Sequence, residues 1–278
     1  MKARTAILMR TKDRPFYLER GLQSVLAQTD PHWVLVIIND AGDSNVLEGI
    51  LKKYRPALGD RLKLVNFSVS EGRGTGKHLN AGLEIADSEF VAIHDDDDSW
   101  DPRFLERTIA EIKNAAAIVT QSTLVTEREE NGKAIEISRV PYEAWQKDAI
   151  SLFRLAESLT FPPIALLFRR AVLAETGVFS PHLGPLEDWD FSLRLFEKFE
   201  VPFLEEPLAF YHQREQAVGA AKNSRSRADI LYGRLDTELR NALLRKDLAE
   251  GKVGLGFLVN IAQMQGRLYK EIQEKPGQ

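Results

Sequence analysis

Four consecutive aspartates, Asp95 to Asp98, follow the apolar run Phe90-Val91-Ala92-Ile93-His94. Like charges packed this closely repel, so the cluster adds nothing to a fold by itself. On charge repulsion alone, Asp97→Ala is expected to leave the fold intact or slightly more stable. At the carboxyl end of a buried strand the same residues offer hard oxygens to Mg²⁺ or Mn²⁺, and that end is where open α/β sheets bind ligands. The alternative is a solvated acidic loop that caps the next helix, with Asp101-Pro102 at its start.

Four other segments carry residues suited to chemistry. Asp40 closes a second apolar run, where a carboxylate can accept from a ribose hydroxyl or from the imide N–H of uracil or thymine; taken by itself, a turn-forming Asn39-Asp40 pair ahead of a helix explains it better. The glycine-rich Glu71 to Gly76 carries Arg73 and leads to Lys77. It fits neither a Walker loop nor a dinucleotide fingerprint, and it is either a phosphate-facing turn before a helix or a plain loop. Glu187-Asp188-Trp189-Asp190 precedes a helical pattern. Its acids are either first-turn residues or include a general base for a hydroxyl. His212 ends a short strand-like run, and is a packed histidine or an imidazole ligand for Mn²⁺.

The elements that must place these residues alternate. Strands are expected at Thr5–Met9, Trp33–Ile38, Leu62–Phe67 and Phe90–His94. Helices are expected from Pro15, over Val46–Tyr54, Lys77–Ile85 and Pro102–Asn114. This order predicts a mostly parallel sheet with helices on both faces. Past Ala115 the pattern changes. Ile118–Thr126 and Ala134–Val140 flank Asn131-Gly132, a hairpin signal. A strand is expected over Pro162–Phe168, a helix over Asp190–Phe199, and short strands at Val201–Leu204 and Leu208–Tyr211. Val218–Arg227 is small and basic, and reads as a loop. From Asp229 two helices follow, the second over Val253–Ile272.

The 278 residues are 44% apolar and 28% charged, as in an ordinary globular protein. A net charge of −4 argues against a dedicated nucleic-acid binder. Absence of cysteine excludes disulfides, thiol catalysis and thiolate zinc sites. No signal peptide and no bilayer-length apolar run is visible, so the expected location is the cytoplasm, with peripheral contact at the inner face of a membrane as an option.

Taken together, these segments resemble the inverting family-2 glycosyltransferases of the GT-A fold. The resemblance rests on Arg14-Pro15 with Glu19-Arg20, Ser24-Val25-Leu26-Ala27-Gln28-Thr29, Asn39-Asp40-Ala41-Gly42-Asp43, Asn80-Ala81-Gly82, Asp95 to Trp100, and Glu187-Asp188. It implies a Rossmann-like nucleotide-diphospho-sugar transferase domain at residues 1–215, with a helical C-terminal extension at 216–278. It implies metal-dependent, inverting transfer of a sugar from a nucleoside diphosphate sugar, UDP or dTDP by preference, to a glycan, lipid-linked or other hydroxyl acceptor.

Residue by residue, the resemblance puts Thr11, Asp13 and Asp40 on the nucleoside and Arg73 or Lys77 near the diphosphate. It puts Asp96 on the ribose or sugar. Asp97 becomes the principal ligand of Mn²⁺ or Mg²⁺, with Asp95 nearby in the donor site and His212 as a further contact, and Asp188 becomes the base. A sugar-1-phosphate nucleotidyltransferase and a non-catalytic nucleotide-sugar-binding protein are the alternatives. The former would carry a glycine-rich loop after its first strand, where this chain has Arg10-Thr11-Lys12-Asp13-Arg14-Pro15. The C-terminal helices are expected to pack on their own domain, with dimer contact or an acceptor-side surface as other roles.

Overall fold

A computed structural model describes residues 3–70, 76–130, 133–142, 149–214, 229–252 and 254–274. Arg73, the Asn131-Gly132 turn and the basic stretch Val218–Arg227 lie outside the described residues.

The first half alternates as its pattern dictates. β1 (Ala3–Thr11), α1 (Pro15–Leu26), β2 (Trp33–Asp40), α2 (Ser44–Leu58), β3 (Leu62–Phe67), α3 (Gly76–Ile85) and β4 (Ser88–Ile93) follow one another. β1 and β2 are continuous apolar runs because both sheet faces are covered; Ala6 to Met9 and Leu35 to Ile38 are fully buried. Pro15 starts α1, and the Asp43 carboxylate caps α2 by accepting from the Asn45 amide at 2.8 Å.

Among the described residues a single nine-stranded sheet runs in the order β3-β2-β1-β4, then β8 (Leu166–Arg169), β6 (Ala117–Glu130), β9 (Phe203–Arg214) and β5 (Ser99–Trp100), with β7 (Lys133–Pro141) pairing β6. β1 lies between β2 and β4 and is parallel to both. The chain therefore builds outward from β1 through β2 to β3, then returns to place β4 on the other side. The carboxyl ends of β1 and β4 flank this change of direction, the place where such sheets form a ligand crevice.

The second half differs more from expectation. β5 (Ser99–Trp100) and α4 (Phe104–Glu111) precede the long β6 (Ala117–Glu130) and β7 (Lys133–Pro141), which form the expected antiparallel pair. α5 (Leu152–Glu157), β8 (Leu166–Arg169) and α6 (Leu173–Thr176) follow, with a 3₁₀ turn at Pro163–Ala165 where a strand was expected to begin. α7 spans Glu187–Lys198, starting three residues before the apolar pattern suggested. The two short strands expected after it are one strand, β9 (Phe203–Arg214). Its register against β6 shifts around Gln121, opposite Pro207, so the proline interrupts the ladder without ending the strand. β5, β7 and β8 run against the rest, so the sheet is mostly parallel.

Two C-terminal helices, α8 (Asp229–Ala249) and α9 (Leu255–Glu274), pack on each other. α9 also packs on α5, and α8 on the 3₁₀ turn Gly184–Leu186 that leads into α7. Leu239, Val259 and Ala262 are buried in these contacts. Among the described residues no helix is long and apolar enough to cross a membrane.

Candidate active site

The carboxyl end of β1 carries Arg10 and Thr11, and β4 delivers the aspartate run beside them. Arg10 sits at the centre. Its guanidinium donates to Glu187 Oε1 and, at 3.1 Å, to Asp95 Oδ1, and it lies 3.8 Å from Asp188 Oδ2. One cation thus joins β1, the acidic loop and the first turn of α7. Burial alone would lower the Arg10 pKa, but Asp95, Glu187 and Asp188 outweigh it and raise it. Arg10 is fixed as a cation.

The four aspartates divide by partner. Asp96 is buried; its two oxygens accept from Thr11 Oγ1 at 2.8 Å and Arg14 Nη1 at 2.9 Å. Burial pushes it up to about 6 although Arg14 opposes the shift. Asp97 Oδ2 accepts from Arg14 at 2.8 Å and Arg214 at 2.5 Å, and its carbonyl accepts from Arg20 at 2.9 Å. Burial would raise Asp97, yet Arg14 and Arg214 hold it down at about 2. Asp98 accepts from the His212 amide at 2.8 Å, tying β9 to the loop, and burial raises its pKa well above the usual range. Asp95 is the most open of the three that reach the cleft, with 29% of its side chain exposed.

Asp188 and Glu187 occupy the first turn of α7. Glu187 is fully buried against Arg10, and burial raises its pKa well above the usual carboxylate range. Asp188 faces the cleft, and its Oδ1 has no hydrogen-bond partner. Burial raises it to about 6, with Arg10 pulling down and Asp95 pushing up. Asp190 belongs to the scaffold: Oδ2 accepts from Ser180 at 2.6 Å and from Arg194.

At the other end, Asp40 is buried. Its Oδ2 accepts from Ser70 at 3.0 Å and lies 3.9 Å from Lys12 Nζ, while Oδ1 has no hydrogen-bond partner. His78, on α3, is buried 3.5 Å from that oxygen and stands edge-on to Phe67.

One cleft joins these groups. Arg10, Thr11, Lys12, Arg14, Asp40, His78, Asp95 to Asp97, Glu187, Asp188 and His212 line it. Three expected site residues behave differently. Asp13 is not among the lining residues; its Oδ1 accepts from the Asp43 amide at 2.8 Å, with φ at +48°, and so ties the loop after β1 to the loop after β2. Lys77 is exposed outside the lining. His212 reaches the cleft, but its Nδ1 meets Glu127 at 2.8 Å and its Nε2 meets Ser99 at 2.9 Å. These two contacts tie β9 to β6 and to β5.

Arg10, Arg14, Arg20, Arg214, Glu127 and His78 were given no role from sequence. One signal could have found the arginines: four clustered carboxylates need nearby cations to stay buried.

Mg²⁺ in nucleotide sites is held by one or two carboxylates together with phosphate oxygens and water. Asp95 and Asp97 supply that hard oxygen set at the cleft, and Asp97 is a permanent anion, so the donor chemistry fits such a cation. Among the described residues no group of three or more acidic, histidine or cysteine side chains is placed to hold a metal by itself.

The sheet order, with the acidic loop at its switch point, is that of the GT-A fold. Residues 6–177, more than half of the chain, match the family described as Glycosyl transferase family 2, and the chain belongs to that family. It is 29% identical over 182 residues to the uncharacterized glycosyltransferase YwdF of Bacillus subtilis, covering 65% of this chain and 63% of that one. It is 28% identical over 189 residues to the amylovoran biosynthesis glycosyltransferase AmsE of Erwinia amylovora, covering 68% and 67%. The chain thus spans less than two thirds of YwdF. In fold it is similar to S. aureus TarS 1–349 in complex with UDP-GlcNAc, with a TM-score of 0.63 at 22% identity, over 87% of this chain and 66% of that one. It is also similar to the Pyrobaculum calidifontis mannosyltransferase PcManGT in complex with GDP-Man and Mn²⁺, with a TM-score of 0.58 at 14% identity, over 95% and 70%.

Proposed function

We propose that the protein transfers a sugar from a nucleoside diphosphate sugar, with UDP or dTDP as carrier, to an acceptor hydroxyl, with inversion at the anomeric carbon. The observation that supports this best is the placement of Asp188. Its carboxylate faces the cleft with one oxygen unpartnered, beside the charged ends of β1 and β4. A pKa of about 6 keeps it ionised at neutral pH while leaving it basic enough to take a proton.

In the proposed step the acceptor oxygen attacks the anomeric carbon as its proton passes to Asp188. The bond from that carbon to the diphosphate oxygen breaks, and its electron pair leaves with the nucleoside diphosphate. No covalent enzyme intermediate forms. Arg10, Lys12 and Arg14 present positive charge where the leaving group gains negative charge, and they are positioned before the reaction. Asp40 Oδ1, buried and without a donor, suits the imide N–H of uracil or thymine. Asp95 and Asp97 would hold Mn²⁺ or Mg²⁺, which would supply Lewis-acid neutralisation of the diphosphate. Thr11, Asp13 and Asp96, expected on the nucleoside or sugar, are read here as holding the loops that shape the donor end. Residues 1–215 form the transfer domain in this reading, and 216–278 extend it. The amylovoran role in the name of AmsE favours a glycan product.

The deciding experiment incubates the protein with a panel of nucleotide sugars and Mn²⁺ and identifies the released nucleotide product. Free nucleoside diphosphate, from a pyrimidine donor, is the expected result. Pyrophosphate would make it a nucleotidyltransferase, and donor binding without any release would make it a binding protein.

A further inference from the structure

α9 is apolar on two opposite faces. Its inner face belongs to the core: Val259 and Ala262 are buried where α9 packs on α5 and α8. Arg240 of α8, itself buried, pins that face. It donates to the Val259 carbonyl at 2.8 Å and to the Glu157 carbonyl of α5 at 2.9 Å, and its guanidinium lies 4.8 Å from the centre of the Trp189 ring. The same contacts fix which face of α9 points outward.

That outward face carries Phe257, Ile261, Met264 and Leu268, spaced as one stripe along a helix. Phe257, Met264 and Leu268 are 47%, 55% and 54% exposed, and Ile261 between them is half-buried. The Phe257 amide donates to Asp247 Oδ2 at 3.3 Å, which brings the end of α8, with the exposed Leu248, to one end of the stripe. A helix apolar on both sides is normally covered on both.

Charge and size select the cover. Acidic residues outnumber Lys and Arg in the chain, 41 to 37, yet α9 has none from Leu255 to Lys270; the first is Glu271. The charged residues of that stretch are Arg267 and Lys270, both exposed. A second copy would bring no carboxylate from this stretch to either cation. The stripe is also small. It runs about 16 Å along a helix about 10 Å wide, far below the roughly 800 Å² per partner that a stable complex buries. An anionic lipid surface needs no such area: apolar side chains enter the headgroup boundary while flanking cations meet phosphate. We propose that the outward face of α9, together with Leu248, is a docking surface for an anionic phospholipid membrane, on which the protein lies without crossing it. This surface goes beyond the transfer reading and does not depend on it.

Co-sedimentation of the full chain with vesicles of phosphatidylcholine, alone or mixed equally with phosphatidylglycerol, tests it. The wild type should bind the mixed vesicles at least about fivefold more tightly than the neutral ones, as cations near an anionic surface dictate. Met264→Glu with Leu268→Glu should lose about tenfold or more of that binding, with an unchanged thermal midpoint because both positions are exposed. Phe257→Gln, at the other end of the stripe, should weaken binding about three- to tenfold and serves if the double variant melts lower. Arg267→Gln with Lys270→Gln should remove the preference for the mixed vesicles. Ile135→Glu with Ile137→Glu alters exposed apolar residues of β7 and should bind as the wild type does. A wild type that stays in solution with both vesicles, α9 variants that bind normally, or an equal loss in the β7 variant overturns the assignment. So does a dimer, seen by light scattering, that the α9 double variant splits, since a second copy would then cover the stripe. Release of nucleoside diphosphate is assayed without vesicles, so none of these outcomes touches the transfer reading.

Discussion

Arg10 and Asp188 show how one residue sets another's chemistry. Asp188 must be ionised to accept a proton, so with a pKa of about 6 the rate should fall as pH drops below that value and level off above it. Arg10 is the group that pulls this pKa down. Arg10→Gln should therefore shift the acid limb of the pH–rate profile to higher pH, and an unshifted limb would remove Arg10 from this role. Asp188→Asn should lower kcat by ~10²–10⁴ with nucleotide affinity unchanged; a variant with weaker binding and normal turnover would mean that Asp188 holds substrate instead. Asp97 reverses a sequence-based expectation. Repulsion among four aspartates suggested that Asp97→Ala would be harmless or stabilising, but Asp97 is the partner of Arg14 and of Arg214, whose side chain is fully buried. Its depressed pKa means that it adds stability above the ordinary carboxylate range, and that this is lost as pH falls toward 2. Removing it takes one carboxylate partner from Arg14 and one from the buried Arg214, so denaturant titration should show a loss of stability, at most ~3–5 kcal/mol.

At the scale of elements, glycine packing decides how α3 meets its neighbours. A Cβ on Gly76 would lie 2.6 Å from the Ser180 carbonyl oxygen, a backbone atom with little room to move. Gly76→Ala should cost ~1–3 kcal/mol by overpacking. Gly49, on the exposed face of α2, has nothing within 4 Å. Gly49→Ala should instead stabilise by ~0.5–1 kcal/mol through helix propensity. Paired thermal melts would compare the two, and equal effects would show that α3 is not seated as described. The Asn80-Ala81-Gly82 motif has a local explanation. Asn80 donates to the Phe179 carbonyl at 2.8 Å and accepts from the Phe179 amide at 3.1 Å, as a strand neighbour would. Gly82 lets α3 lie directly on Ile38 and Leu8.

For the whole molecule, the sheet and the C-terminal helices share one core. Removing residues 229–278 would uncover α5 and the base of α7, where Arg240, Leu239 and Val259 are buried. That truncation should lower the thermal midpoint and increase binding of an apolar dye. A truncated protein with an unchanged midpoint would show that the extension is not part of the core. Cation binding is also a property of the assembled site. UDP should raise the midpoint more with Mn²⁺ than with chelator, because a ligand stabilises in proportion to its affinity for the folded state. An equal shift in both conditions would argue that the arginines alone neutralise the diphosphate.

The sequence by itself determined the alternation of the first half. Runs such as Ala6 to Met9 and Trp33 to Ile38 are long, apolar and bounded by turn residues, so local pattern and tertiary burial agree. It also determined which acids cluster at the strand ends, because that position follows from chain order alone. The tertiary structure decided the rest. Only long-range pairing shows that β9 is one strand, since its ladder with β6 runs past Pro207. Only packing distinguishes the aspartates, because identical side chains received different partners: Asp96 is locked on Thr11 and Arg14, Asp97 on two arginines, Asp98 on the β9 backbone, and Asp95 reaches Arg10 at the cleft. The partners of His212 carry no neighbouring signal either: Glu127 and Ser99 lie 85 and 113 residues away in the chain. Arg10 and Arg240 were silent for the same reason. The value of a buried cation depends on the carboxylates, carbonyls and rings that folding brings to it, and no local pattern encodes them.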